Sequence, residues 1–116
     1  MSSGSGAGVS ADTDALVRRA IAERRLVRFG FHGAARIAEP HDYGVRNGSV
    51  QLLVYQVGGQ SRSGKLPNWR WITVAEIEGL ALLDGTFAGG RATPTGAHSQ
   101  WDVLFARVAP AARGTP

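Results

Sequence analysis

The apolar positions change period along the chain, and the changes mark the elements. Asp12, Thr13 and Asp14 place capping side chains and negative charge ahead of Ala15 to Arg25. Within that stretch Leu16, Val17, Ala20 and Ile21 share one face, and Arg18 and Arg25 lie on the other. The spacing predicts an amphipathic helix with one packed side. From Leu26 the period drops to two: Val27, Phe29 and Phe31 alternate with Leu26, Arg28 and Gly30, the pattern of a half-buried strand ending at His32-Gly33. A second strand is expected from Ala35 to about Glu39, where Pro40 forces an edge, a bend or a strand end.

Asn47-Gly48 is the strongest short hairpin signal in the chain and feeds the apolar run Val50 to Val57. Further strands are expected over Trp69 to Val74 and Glu76 to Leu83, before Asp84-Gly85 turns the chain. Phe87 to Ala97 has loop composition. Ser99 to Asp102 resembles a capping box, and Trp101, Leu104, Phe105 and Val108 fall at i, i+3, i+4 and i+7, which predicts a short closing helix. The fold class is therefore mainly β (α+β): five short strands between two terminal helices. So many strands joined by short turns favour a sheet curved into a small barrel, and an open sheet with the helices on one face is the rival. The expected organisation is a disordered leader over 1–11, one domain over 12–108 and a disordered tail over 109–116.

Composition narrows the chemistry. The 116 residues carry 13 Lys+Arg against 9 Asp+Glu, a formal charge of +4, with no cysteine. A chain of this length holds one small core. Disulfides, cysteine-based zinc sites and a thiol nucleophile are excluded, and a reducing compartment, the cytoplasm, is expected. The longest apolar runs fall far short of the roughly 20 residues that span a bilayer, so no membrane segment is expected.

The order helix, strand, Arg36-Ile37-Ala38-Glu39-Pro40, Asn47-Gly48 turn, Leu52-Leu53-Val54-Tyr55, loop and Trp69-Arg70-Trp71-Ile72 resembles the WYL domain family, in particular its compact stand-alone bacterial members. Glu39-Pro40-His41-Asp42-Tyr43-Gly44, Tyr55-Gln56-Val57-Gly58-Gly59 and Ser61-Arg62-Ser63-Gly64 before Trp69 carry the likeness, which covers Ala15 to Phe105. It departs at Val50-Gln51-Leu52, where the naming Trp-Tyr-Leu triplet would stand, and at Glu76, where an arginine is usual. The resemblance implies an Sm-like or SH3-like small barrel that senses nucleotides or single-stranded nucleic acid. Such a module is often linked to a transcription regulator.

Three groups of residues are candidates for a site. Gly59 to Lys65 fits Gly-x4-Gly-Lys, but Leu66 stands where a magnesium-holding Ser or Thr belongs and a strand follows instead of a helix. Arg62 and Lys65 are left as loose phosphate contacts in a hairpin loop. Glu39, His41 and Tyr43 alternate along an extended segment and are expected on one side, near Arg36 or Arg70. Trp69 and Trp71 are expected to face together and offer stacking platforms, or else to cover the core. His32, His41 and His98 lack metal-ligand spacing.

The sequence thus predicts a non-catalytic binding module with no cofactor and no metal. Its ligand is a nucleotide or single-stranded nucleic acid, held by Arg36, Glu39, His41, Tyr43, Trp69 and Arg70. The alternatives are a protein-interaction or oligomerisation module, with a homo-oligomer or a transcription regulator as partner, and a small hydrolase using Glu39 and His41.

Overall fold

A computed structural model describes residues 9–59, 66–90 and 101–109. Helix α1 spans Ala11–Glu23, followed by strands β1 (Arg25–Phe31), β2 (Ala34–Arg46), β3 (Ser49–Gly59), β4 (Asn68–Thr73), a 3-10 turn (Val74–Glu76), β5 (Glu78–Thr86) and β6 (Val103–Arg107). The expected leader is shorter at its inner end. Ser10 caps α1 by accepting from the Thr13 amide at 3.1 Å, and Val9 packs on the core. Asp14, read as a capping residue, is instead engaged by Tyr43 and Arg18. The rest of the leader, Arg62, Lys65, His98 and most of the tail lie outside the described residues.

Two tight turns set the register of the central meander. His32-Gly33 and Asn47-Gly48 all have positive φ, as two-residue hairpin loops between right-twisted strands require. The antiparallel order is β4-β3-β2-β1-β5, with β6 on β2. Val17, Ala20 and Ile21 of α1 pack with Val27, Phe29, Ala38, Tyr43, Leu52, Val54 and Ile72 on one sheet face, here called inner. The opposite face is called outer.

Strand β2 does not stop at Pro40. The β1 ladder ends at Val27↔Ala38 and the β6 ladder begins at Asp42↔Arg107, so the donor that proline lacks is missing from neither. That vacated edge also explains the correction at the C-terminal end of the fold. The residues expected as a closing helix form β6, because the second half of β2 would otherwise leave its backbone groups unpaired. Asp102, placed in the helical cap by its sequence, accepts instead from the Asn47 amide at 2.9 Å.

The expected barrel does not close: among the described residues no ladder joins β4 to β5, and the sheet is open with one helix on its inner face. It is nonetheless coiled. Four interstrand gaps of about 4.8 Å would put β4 and β5 roughly 19 Å apart in a flat sheet. Thr73 and Glu78 are joined through a 3-10 turn, which rises only about 2 Å per residue, so the two edges must bend towards each other. The turn uses its own backbone, with the Ile77 amide bonded to the Val74 carbonyl, where a closing ladder would have started. Among the described residues no helix is long and apolar enough to cross a membrane.

Candidate functional site

A bulge in β2 decides which side chains meet. Pro40 pairs with Val54 and Asp42 with Leu53, leaving His41 as an extra residue. Before the bulge, Glu39 is opposite Tyr55, on the outer face. After it, Asp42 is on the outer face and Tyr43, opposite Leu52, is on the inner one. The expectation that Glu39, His41 and Tyr43 project to one side is therefore corrected for Tyr43.

The six predicted ligand residues divide accordingly. Arg36 is opposite Phe29 and Arg70 opposite Val54, which puts both with Tyr43 on the inner-face register. They are not together there. Arg36 is buried with its guanidinium 5.4 Å from the Phe31 ring centre, and its Nη1 donates to Gln56 Oε1 at 3.0 Å. Tyr43 is seven residues further along, roughly 20 Å of strand, and donates its hydroxyl to Asp14 Oδ1 at 2.6 Å. Burial, and then the Asp14 hydrogen bond and charge, push the Tyr43 phenol well above the ordinary tyrosine value. Burial would raise Asp14, but the Tyr43 hydroxyl and the Arg18 guanidinium outweigh it and hold the carboxyl below its usual value. These are bonds that fix α1 to the sheet.

Glu39, His41 and Trp69 do come together. Glu39 Oε1 and His41 Nε2 are 2.9 Å apart, both residues are buried, and the imidazole lies edge-on to Trp69 at 4.9 Å and against Phe87 at 5.2 Å. Next to them is a group absent from the predicted site. Asp42, fully buried, accepts from Arg107 Nε at 3.0 Å, Arg107 Nη2 at 3.2 Å and Trp101 Nε1 at 3.1 Å. The fork of two parallel bonds is the strong geometry for a guanidinium and a carboxylate.

Above this buried polar layer four rings form a half-exposed roof. Register puts Trp69 opposite Tyr55 and Trp71 opposite Leu53, so both tryptophans face outward, away from α1. Tyr55 contacts Trp69 at 5.2 Å and Trp71 contacts Trp101 at 5.3 Å, both at steep angles. Arg46 extends over Trp71, its Cζ 4.0 Å from the ring centre. Trp101 can lie flat on the strand because β2 has Gly44 beneath it: a Cβ there would come within 3.1 Å of the indole and 2.1 Å of the Val103 carbonyl.

Among the described residues no three His, Asp or Glu side chains converge as metal ligands. A surface hollow of about 400 Å³ lies on α1 between Asp12, Ala15, Leu16 and Arg19, and includes none of the predicted site residues. No known family model, curated protein or solved structure matches the chain.

Proposed function

We propose that the protein is a non-catalytic binding module, WYL-like in type and cytoplasmic, that takes a nucleotide or single-stranded nucleic acid on the outer face of its sheet. One observation carries the reading: Arg46 is held 4.0 Å over Trp71, within a roof that also contains Trp69, Trp101 and Tyr55. Indole rings supply sequence-tolerant stacking surface for bases, and a guanidinium beside them supplies the phosphate contact. The formal charge of +4 favours a polyanion.

In this reading the predicted residues take different parts. Trp69 belongs to the binding surface, and Glu39 with His41 supports it from below. Arg36, Tyr43 and Arg70 register on the other face and take no part. A hydrolytic role for Glu39 and His41 is disfavoured because both are buried and bonded to each other under Trp69. The helix followed by a coiled antiparallel sheet supports the Sm-like expectation, with the edges drawn together and not zipped.

Titration with short single-stranded oligonucleotides, read by tryptophan fluorescence, tests the proposal. Quenching should saturate and weaken with salt, the log–log slope falling by about 0.7 for each phosphate contact removed from a single strand. Arg46→Ala should reduce the slope by one such step, and Trp71→Ala should abolish saturable quenching while the fold melts normally. Absence of quenching with oligonucleotides and with mononucleotides alike overturns the reading.

A further inference from the structure

We infer that Trp71 is the floor of a base subsite whose edge is read by Gln51, and that Arg46 occupies this subsite until a base displaces it. The inference rests on the nucleic-acid reading and deepens it, from a binding face to one slot and the class of base that fits there.

Register assembles the slot. On the outer face Arg46 is opposite Ser49, Gly44 and Thr73 flank Gln51, and Trp71 is opposite Leu53. The Gln51 row therefore lies between Arg46 and Trp71, and the arginine side chain crosses it to bring its Cζ 4.0 Å from the ring centre. A guanidinium is planar and stacks on aromatic faces, so it covers the surface that a stacked base needs. Base and cation exclude each other there.

Arg46 is the neighbour that can be exchanged. Trp101 meets Trp71 at 57°, and Trp69 is engaged by the rings of Tyr55 and His41 at 60° and 64°. Each ring is held close to its backbone by a short stem, whereas the long Arg46 stem lets the guanidinium swing aside.

Its departure uncovers a polar edge. Gln51 Nε2 donates to Thr73 Oγ1 at 3.3 Å, and both residues are half-buried. Neither side chain has a further hydrogen bond among the described residues. The amide of Gln51 therefore keeps its carbonyl oxygen and a second N–H for a ligand, while Thr73 orients it. Such an amide pairs with a base that presents an N–H beside an acceptor nitrogen, as adenine does at N6 and N7. The displaced guanidinium stays within reach of the ligand's phosphate, the contact proposed for it above.

Arg46→Ala should act in opposite directions on two ligands. It should bind adenosine, which has no phosphate, about two- to fivefold more tightly than the parent, because an exposed cation–π contact no longer has to be broken. The same variant should bind a short oligodeoxyadenylate more weakly at low salt, having lost a phosphate contact. Shifts of the indole N–H cross-peaks measure both. The parent should prefer adenosine to purine riboside, which lacks the exocyclic amine, by about five- to hundredfold. Gln51→Leu should reduce that preference at least about fivefold. Gln51→Glu, similar in shape but without the N–H pair, should do the same, and each variant should melt like the parent.

An Arg46→Ala protein that binds adenosine no better than the parent overturns the inference, as does one whose indole peaks stay still at the solubility limit of the nucleoside. An unchanged preference in both Gln51 variants also overturns it. Either result alongside oligonucleotide binding leaves the nucleic-acid reading standing, whereas a failure to bind oligonucleotides removes both.

Discussion

The buried Asp42 site allows a test in which the two ends of one ion pair behave unequally. Its carboxylate is 0% exposed, whereas the Arg107 side chain that grips it is 41% exposed. Arg107→Ala removes two hydrogen bonds from a charge that water does not reach, a loss of about 3–5 kcal/mol when one partner of a buried pair is deleted. Asp42→Ala removes these two bonds and the one from Trp101 but leaves Arg107 and the half-exposed Trp101 able to rehydrate. The net loss is then that of a charge-assisted interaction, about 1.5–3 kcal/mol. The arginine variant should therefore be the less stable by roughly 1–2 kcal/mol, or on the order of 5 °C in Tm for a domain of this size. Urea unfolding followed by tryptophan fluorescence measures both, with an unchanged m-value as evidence that the same transition is being compared. Equal losses, or a larger loss for Asp42→Ala, would refute the argument that solvent access decides the sign of the difference.

Other perturbations isolate single contacts. Tyr43→Phe deletes the bond to Asp14 and should cost about 1–2 kcal/mol in the same assay. Because the Tyr43 pKa is raised in the fold, its contribution is fully present below the unfolded value near 10 and declines as pH rises beyond it, since the unfolded chain releases the proton first. Parent and Tyr43→Phe stabilities should therefore converge between pH 10 and higher pH, and parallel curves would contradict the assignment. Gly44→Ala should cost about 2–4 kcal/mol and speed amide exchange in β6, because the added carbon meets the Val103 carbonyl at 2.1 Å. Gly48→Ala meets nothing within 4 Å and should cost only about 1–2 kcal/mol, the backbone penalty of a φ of +79, measured by thermal melting.

The Asn47-Gly48 hairpin turn was legible because its chemistry is local, whereas His32-Gly33 was legible only as a strand end and the structure makes it a second positive-φ turn. Also legible were α1 and the alternation of β1, where each residue's environment repeats at a fixed period. The segment from Trp101 to Val108 misleads because its apolar spacing satisfies a helix while the deciding influence is the vacant edge of β2, a tertiary circumstance. The candidate site was divided by one residue. Strict alternation joins Tyr43 to Glu39, and the bulge at His41 gives Tyr43 to the helix side and Asp42 to the outer face. Trp69 and Trp71 could be paired from their spacing, but nothing local announced that Arg46 and Trp101 would meet Trp71, or that Arg107 would reach the buried Asp42.

The break in partners at Pro40 has a kinetic consequence. The first half of β2 is matched by β1 through a two-residue turn, and the second half waits for a strand whose Arg107 lies 65 positions from Asp42. Closing the near loop is fast, and contacts of long sequence separation slow the search for the native topology. The meander of β1, β2 and β3 should therefore assemble first, with β6 arriving last and leaving first. One continuous strand would then have two lifetimes: amides on the Ala34–Ala38 side outlasting those on the Asp42–Arg46 side during native-state hydrogen exchange.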